Sequence, residues 1–341
     1  KQPKGEFLDK AEGEEVLRIA ASNEIEFSTW DELGHIEHND TYDRRHIDAV
    51  LALPLVDVEA IRKANLRVAI DAVNSVGGNI MPRLLRALGV AEVIEINCEA
   101  TGRFAHTPEP IPENLKMTAE VIKEKHADVG LVVDPDVDRL AIIMENGEMF
   151  VEEYTLVSVA DYVLTHTPGN TVSNLSSSRA LRDVTLKHQG CNYSAAAVGE
   201  VNVVAEMKRT GAVIGGEGNG GVIYPELHYG RDALVGAALF LSLLAKSGKK
   251  VSELKKQYPQ YVITKDKIQL TPEMDIDAIL ARVKEKFAGE KVTDIDGVKI
   301  DFPDGWVHLR RSNTEPIIRI YSEAQSAERA NELAANVKNQ L

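Results

Sequence analysis

From about residue 40 to residue 257, short apolar runs alternate with segments of helical spacing. No other feature of the chain restricts its fold as much. Leu66-Arg-Val-Ala-Ile-Asp71, Ala91 to Ile96 and Asp128 to Val133 read as strands in a first round; Asn170 to Asn174, Asn192 to Val198 and Ala212-Val-Ile-Gly215 read as strands in a second. Between and after them, His46 to Val56, a stretch ending at Leu88, Glu113 to His126, Tyr154 to Leu164, Gly199 to Lys208 and Ala233 to Leu244 read as helices. Strands alternating with helices form a mostly parallel sheet covered on both faces, with ligands beyond the carboxyl ends of the strands. Near residue 258 the rhythm changes. A strand from Tyr261 to Leu270, a helix from Asp275 to Phe287, strands within Lys291 to Phe302, Trp306 to Arg310 and Ile317 to Glu323, and a helix from Ala324 to Leu341 describe a small α+β unit. The expected fold class is therefore α/β: two related α/β domains with mostly parallel sheets, over residues 39–150 and 151–257, plus a C-terminal α+β domain over 258–341. Residues 1–38 are acidic. Their helical spacing (Val16, Leu17, Ile19, Ala20) gives too little apolar surface for a core, so they read as a piece of something larger.

Composition removes several classes of function. A net charge of −14 argues against a nucleic-acid partner, and any anionic substrate then needs local Arg, Lys and backbone N–H groups. Two cysteines, Cys98 and Cys191, make no disulfide framework and point to a reducing, cytoplasmic setting. No run approaches the roughly eighteen apolar residues of a membrane helix, no signal peptide opens the chain, and no nucleotide P-loop or dinucleotide fingerprint is found. Oligomeric state is not legible. The chain opens at Lys1-Gln-Pro-Lys without an initiator Met, as expected of a segment of a longer protein.

Three loops carry candidate chemistry. Asp134-Pro-Asp136-Val-Asp138-Arg139 lies between the apolar runs Val129 to Val133 and Leu140 to Met144. In an extended loop, alternate carboxylates turn toward one point; three of them repel unless a cation sits between, and all-oxygen ligands suit Mg²⁺. Arg139 adds a planar donor fork for phosphate. An EF-hand reading fails because Arg139 stands where Gly is needed. A nucleophilic-aspartate phosphatase site and a solvated acidic turn remain as alternatives. Gly216-Glu217-Gly218-Asn219-Gly220-Gly221 allows close backbone approach and offers acceptors and donors to paired hydroxyls, although Gly-rich stretches are more often plain turns. Arg310-Arg-Ser312-Asn313-Thr314-Glu-Pro316, with Arg319 beyond, is a dense donor cluster for a phosphate or else a solvated hairpin turn. A ligand with phosphate at one end, hydroxyls in the middle and a metal-linked phosphoryl group at the other would engage all three. That describes a hexose phosphate.

At these three motifs, and in this order, the chain resembles the α-D-phosphohexomutases: phosphoglucomutases, phosphomannomutases and phosphoglucosamine mutases. The resemblance covers nearly the whole chain and implies four domains, the first three of related α/β fold. It implies that Asp134, Asp136 and Asp138 bind Mg²⁺, and that Arg139 contacts the phosphoryl group. Glu217 and Asn219 would hydrogen-bond O3 and O4 of the sugar; the family often has Ser where Asn219 stands. Arg310, Ser312, Asn313 and Thr314 would hold the non-reacting phosphate, with Arg319 supporting that loop. Gly199-Glu200 matches a loop that orients substrate, where some members have His in place of Glu200. A hexose 1,6-bisphosphate would be intermediate and activator.

The family's phosphoserine motif, Thr-Ala-Ser-His-Asn-Pro, is absent, and Ala21-Ser22-Asn23 lacks the following Pro. Lys4-Gly-Glu-Phe-Leu8 resembles a family segment somewhat after that serine, so residues 1–38 are expected to be the remnant of the first domain. The chain alone is expected to be inactive. A non-catalytic sugar-phosphate binder and a Mg²⁺-dependent phosphatase with an Asp nucleophile are the alternatives, and the preferred sugar is not legible.

Overall fold

A computed structural model of the protein describes residues 5–22, 25–271, 274–312 and 315–340. Two four-stranded sheets share one topology. In the first, β1 (Arg67–Asp71) pairs in parallel with β2 (Glu92–Ile96) and β3 (Val129–Val133), and β4 (Leu140–Met144) returns antiparallel to β3, giving the order β2-β1-β3-β4. In the second, β5 (Asn170–Asn174) pairs in parallel with β6 (Tyr193–Ala196) and β7 (Ala212–Glu217), and β8 (Gly221–Ile223) returns antiparallel to β7, giving the order β6-β5-β7-β8. The third sheet is wholly antiparallel, in the order β10-β11-β12-β13-β9, from β9 (Val262–Gln269), β10 (Lys291–Thr293), β11 (Val298–Phe302), β12 (Gly305–Arg311) and β13 (Ile317–Ala324).

Helices cover these sheets as the rhythm requires. Before β1 stand α1 (Lys10–Ala21), α2 (Tyr42–Leu51) and α3 (Val58–Ala64); α4 (Gly77–Leu88) and α5 (Lys116–Glu124) cross over in the first sheet. In the second unit follow α6 (Glu152–His166), α7 (Ala180–Thr185), α8 (Glu200–Thr210), α9 (Ala233–Ser247) and α10 (Val251–Lys255); α11 (Ile276–Lys286) and α12 (Ala327–Lys338) back the third sheet. β3 and β4 are buried at every position, as a strand packed on both faces must be. One continuous apolar core runs from Ile47 on α2 through both parallel-containing sheets to α9 and Leu254 on α10, and a separate core lies under the antiparallel sheet.

Several boundaries differ from the sequence reading. The helix expected over 46–56 starts at Tyr42 and ends at Leu51, before Pro54, and a separate helix, α3, follows with Asp57 as N-cap, its carboxylate accepting from the Ala60 amide. β7 runs on to Glu217, and β8 was not foreseen, because three residues of Gly-Val-Ile have no length on which periodicity can act. α1 forms near its expected place. Asp9 and Glu12 close a capping box, yet none of its residues is buried, and Phe27, Trp30 and Ile36 beyond it are almost fully exposed. No helix among the described residues is long and apolar enough to cross a membrane.

Candidate active site

The three loops singled out in the sequence are all hairpin connections. Asp134 to Arg139 joins β3 to β4, Gly218 to Gly220 joins β7 to β8 at the equivalent place in the second unit, and residues 312 to 316 join β12 to β13. A backbone tie brings the first two together: the Leu140 amide donates to the Gly220 carbonyl at 3.0 Å, while the Ala233 amide at the start of α9 donates to the Val137 carbonyl at 3.1 Å. Gly220 has φ +90°, and a Cβ there would lie 2.5 Å from the Leu140 carbonyl oxygen, so only glycine allows this approach.

The acidic loop gathers its carboxylates differently from the extended arrangement expected. It is a turn closed on Asp134. Val137 N–H donates to the Asp134 carbonyl, and the amides of Asp138 and Arg139 donate to Asp134 Oδ1 at 3.1 and 3.0 Å. Val137 sits at φ +62°, a costly conformation for a β-branched residue, and Ser75 pins the loop by donating to the Pro135 carbonyl. The result is the one the chemistry needs: one oxygen from each of Asp134, Asp136 and Asp138 lies within 4.8 Å of the others. Burial, and then the charges of Asp138 and Asp136, push the Asp134 carboxyl up to about 7. Asp138 Oδ1 is buried with no hydrogen-bond partner among the described residues. An all-oxygen group with an orphaned acceptor and mutual repulsion fits a hard divalent cation.

Arg139, Glu217, Asn219, Arg310 and Arg319 line one cleft of about 310 Å³. Arg310 and Arg319 are direct cross-strand partners on β12 and β13. Like charges so placed are unfavourable unless an anion is shared between them. The Nε atoms of Arg139, Arg310 and Arg319 are all buried without a hydrogen-bond partner among the described residues. Arg319 also donates to Ser312 Oγ at 3.4 Å and to Glu315 at 3.1 Å. Asn313 and Thr314 lie outside the described residues. Arg139 stands between the two halves of the site: it lines the cleft while its Nε lies 3.5 Å from Asp134 and 3.7 Å from Asp138.

Other side chains at the site escaped the sequence reading. Arg231, which none of the three motifs contains, sits at the centre of a carboxylate group. Nη1 donates to Glu217 at 2.7 Å, Nε donates to Glu200 at 3.0 Å, and Nη2 donates to Asp138 in a short contact. Its partners lie up to 93 residues away, so no local pattern signals the role. Glu200 accordingly is not in the cleft lining; it opens α8 and supports Arg231. Glu217 is buried, with Oε1 accepting from Asn174 and from the Gly199 amide. Lys265, Asn174 and Glu153 line the cleft as well. Glu153 accepts from the Ser178 amide, and burial holds its carboxyl well above the usual range. A Cβ on Gly218 would meet the Glu153 carboxylate, which would have to shift from the oxygen position that accepts from Ser178.

The cleft thus gathers cationic, carboxylate and amide side chains on one lining, with a hard-cation group beside Arg139. The chain is similar along nearly its whole length to known proteins. Models of the phosphoglucomutase/phosphomannomutase family match in three consecutive blocks: α/β/α domain II over residues 44–147, α/β/α domain III over 152–261 and the C-terminal domain over 264–340. A phosphoglucomutase/phosphomannomutase of Thermococcus kodakarensis is 39% identical over 335 residues, 97% of this chain and 72% of that protein. A phosphoglucosamine/phosphogalactosamine mutase of Sulfurisphaera tokodaii is 34% identical, over 94% of this chain and 73% of that one. The crystal structure of a phosphoglucomutase/phosphomannomutase family protein from Burkholderia thailandensis superposes with a TM-score of 0.77 at 28% identity, covering 89% of this chain. The chain spans 65% of that protein.

Proposed function

Because this chain belongs to the phosphoglucomutase/phosphomannomutase family, we propose that its cleft is the sugar-phosphate site of a phosphohexomutase, interconverting hexose 1-phosphate and hexose 6-phosphate. The observation that carries this reading is the opposed pair Arg310 and Arg319 sharing one cleft with Arg139, which itself abuts the three-aspartate group. Arg310, Arg319 and Ser312, with Asn313 and Thr314 of the same loop, clamp the phosphate that is not reacting. Glu217 and Asn219 take the sugar hydroxyls O3 and O4. Glu217 has both oxygens engaged by Asn174, Gly199 and Arg231, so its remaining lone pair is held in a fixed direction. Glu200 acts through Arg231 rather than by touching sugar. Arg139 meets the phosphoryl group in transfer, and Asp134, Asp136 and Asp138 would hold Mg²⁺, whose charge offsets that of the transferring phosphoryl group when it is bound.

In this scheme a serine phosphate donates its phosphoryl group to the free hydroxyl of the bound monophosphate. The resulting 1,6-bisphosphate turns end for end, and the other phosphoryl group returns to the serine. A clamp built from separate hairpins serves this reaction because it must accept either end of the sugar. These 341 residues contain no Thr-Ala-Ser-His-Asn-Pro segment. The test is turnover of glucose, mannose and glucosamine 1-phosphates with Mg²⁺ and the matching 1,6-bisphosphate. The chain alone gives none, and a longer form carrying that serine segment gives turnover that ranks the sugars. Turnover by the chain itself at verified intact mass would contradict the serine scheme and direct the search for a nucleophile to Asp134.

A further inference from the structure

Beside the acidic loop, whose Asp136 and Val137 line one cleft together with His46 and Asp232, a second group of metal-ligand side chains converges. His46 on α2 places Nε2 2.7 Å from Asp232 Oδ2, and His228, in the segment before α9, places Nε2 2.9 Å from the same oxygen. The ligand atoms of the three residues lie within 4.8 Å of one another. Asp232 is buried, and its other oxygen is fixed by the amides of Leu234 and Val235 at the start of α9. The two rings are partly exposed, at 33% and 44% of their side-chain surface, and a cleft of about 400 Å³ opens over His46 and Asp232. We propose that His46, His228 and Asp232 form a binding site for a divalent transition-metal ion of the Zn²⁺ class, separate from the Asp134–Asp136–Asp138 group.

The chemistry separates the two sites. Two imidazole nitrogens and one carboxylate oxygen suit Zn²⁺, whereas three carboxylates suit Mg²⁺. The backbone amides on Asp232 Oδ1 do what outer partners of a metal carboxylate do, fixing its orientation. The cleft gives water access to a fourth position. Ligand atoms each about 2.0–2.1 Å from a tetrahedral Zn²⁺ lie about 3.3 Å apart. The rings therefore withdraw by roughly half an ångström from their present hydrogen bonds, and each Nε2 gives up any proton it carries as the ion enters. The ion joins α2 to the start of α9, one residue beyond Arg231, and so fixes the element that presents Arg231 to Asp138 and Glu217. This inference does not depend on the mutase reading.

The test is calorimetric titration of the chelator-treated chain with Zn²⁺ in the presence of excess Mg²⁺, which occupies the carboxylate loop. One equivalent binds; His46→Gln and His228→Gln each weaken it by at least about tenfold, while Asp134→Asn leaves it unchanged. The electron paramagnetic resonance spectrum of one equivalent of Cu²⁺ on the unmodified chain shows coupling to two imidazole nitrogens, a reading that needs no variant to fold. Absence of Zn²⁺ binding with Mg²⁺ present would overturn the proposal. So would affinity unmoved by either His substitution, a loss with Asp134→Asn as large as with the His variants, or a Cu²⁺ spectrum without imidazole coupling.

Discussion

Arg231 shows how much of the site rests on single side chains that satisfy several partners at once. It is the shared counter-ion of Asp138, Glu200 and Glu217, with only 13% of its side chain exposed. Arg231→Met leaves three carboxylates facing each other and is expected to lower stability by about 3–5 kcal/mol, read by urea unfolding. The same change frees Asp138, so Mg²⁺ affinity measured by calorimetry should rise; unchanged affinity would show that Arg231 does not compete for that carboxylate. Asp134→Asn separates fold from metal. The amide oxygen still accepts from the Asp138 and Arg139 backbone, so the turn persists and the thermal midpoint stays close to that of the parent, while Mg²⁺ binding is lost. At this scale the sequence was informative where residues were dense. Asp134, Asp136, Asp138 and Arg139 stand within six positions, and their gathering needs only one turn. Arg231, Lys265 and Glu153 were invisible because their roles come from contacts between elements distant along the chain.

At the scale of elements, the two βαβ-type sheets deliver equivalent hairpins, and the joint between those hairpins is a close approach of backbone. Gly220→Ala places a side chain at φ +90° against the Leu140 carbonyl. Strain of about 1–3 kcal/mol is expected from the backbone conformation alone, and more from the contact. Chemical denaturation reads that cost, and weakened sugar-phosphate binding follows because Asn219 and Arg139 flank the joint. A Gly220→Ala chain of unchanged stability would mean that the hairpins are not locked together there. The alternation of strands and helices was legible because five-residue apolar runs such as Val129 to Val133 are buried throughout. Short pieces such as β8 and α10 have no period to read and are held by tertiary contacts, and α2 ends before the expected Val56 because Pro54 disfavours helical backbone at the residue before it.

For the whole molecule, the decisive contact is the one that seats the antiparallel sheet on the second α/β unit, since it brings Arg310 and Arg319 to the cleft. It is polar and buried. Arg179 donates to the carbonyls of Phe302 and Gly305 and pairs with Asp301, Lys299 Nζ donates to the Leu175 carbonyl, and Ser176 meets His308 Nδ1 at 2.9 Å. His308 Nε2 faces the Asp296 carbonyl at 2.6 Å, which can only accept, so the neutral ring carries its proton there and Nδ1 accepts from Ser176. Burial holds this imidazole down at about 4. A base whose pKa falls on folding binds fewer protons in the folded state, so its contribution is present above about 6.5 and is lost as pH falls from there toward 4. The expected loss is on the order of 2–3 kcal/mol. Unfolding at pH 7.5 and 5.0 should show a steeper loss for the parent than for His308→Gln; parallel loss in both would contradict it. None of this interface was legible in the sequence, because Ser176, Arg179 and His308 look like ordinary loop and strand residues until the domains meet. The central claim is that the opposed arginines and the aspartate loop serve one sugar phosphate. The most direct test is calorimetric binding of glucose 1,6-bisphosphate to the chain, with and without Mg²⁺, alongside Arg310→Ala and Asp134→Asn. Binding that is strengthened by Mg²⁺, lost in Arg310→Ala and insensitive to Mg²⁺ in Asp134→Asn is the predicted result. Binding indifferent to both substitutions would contradict the account.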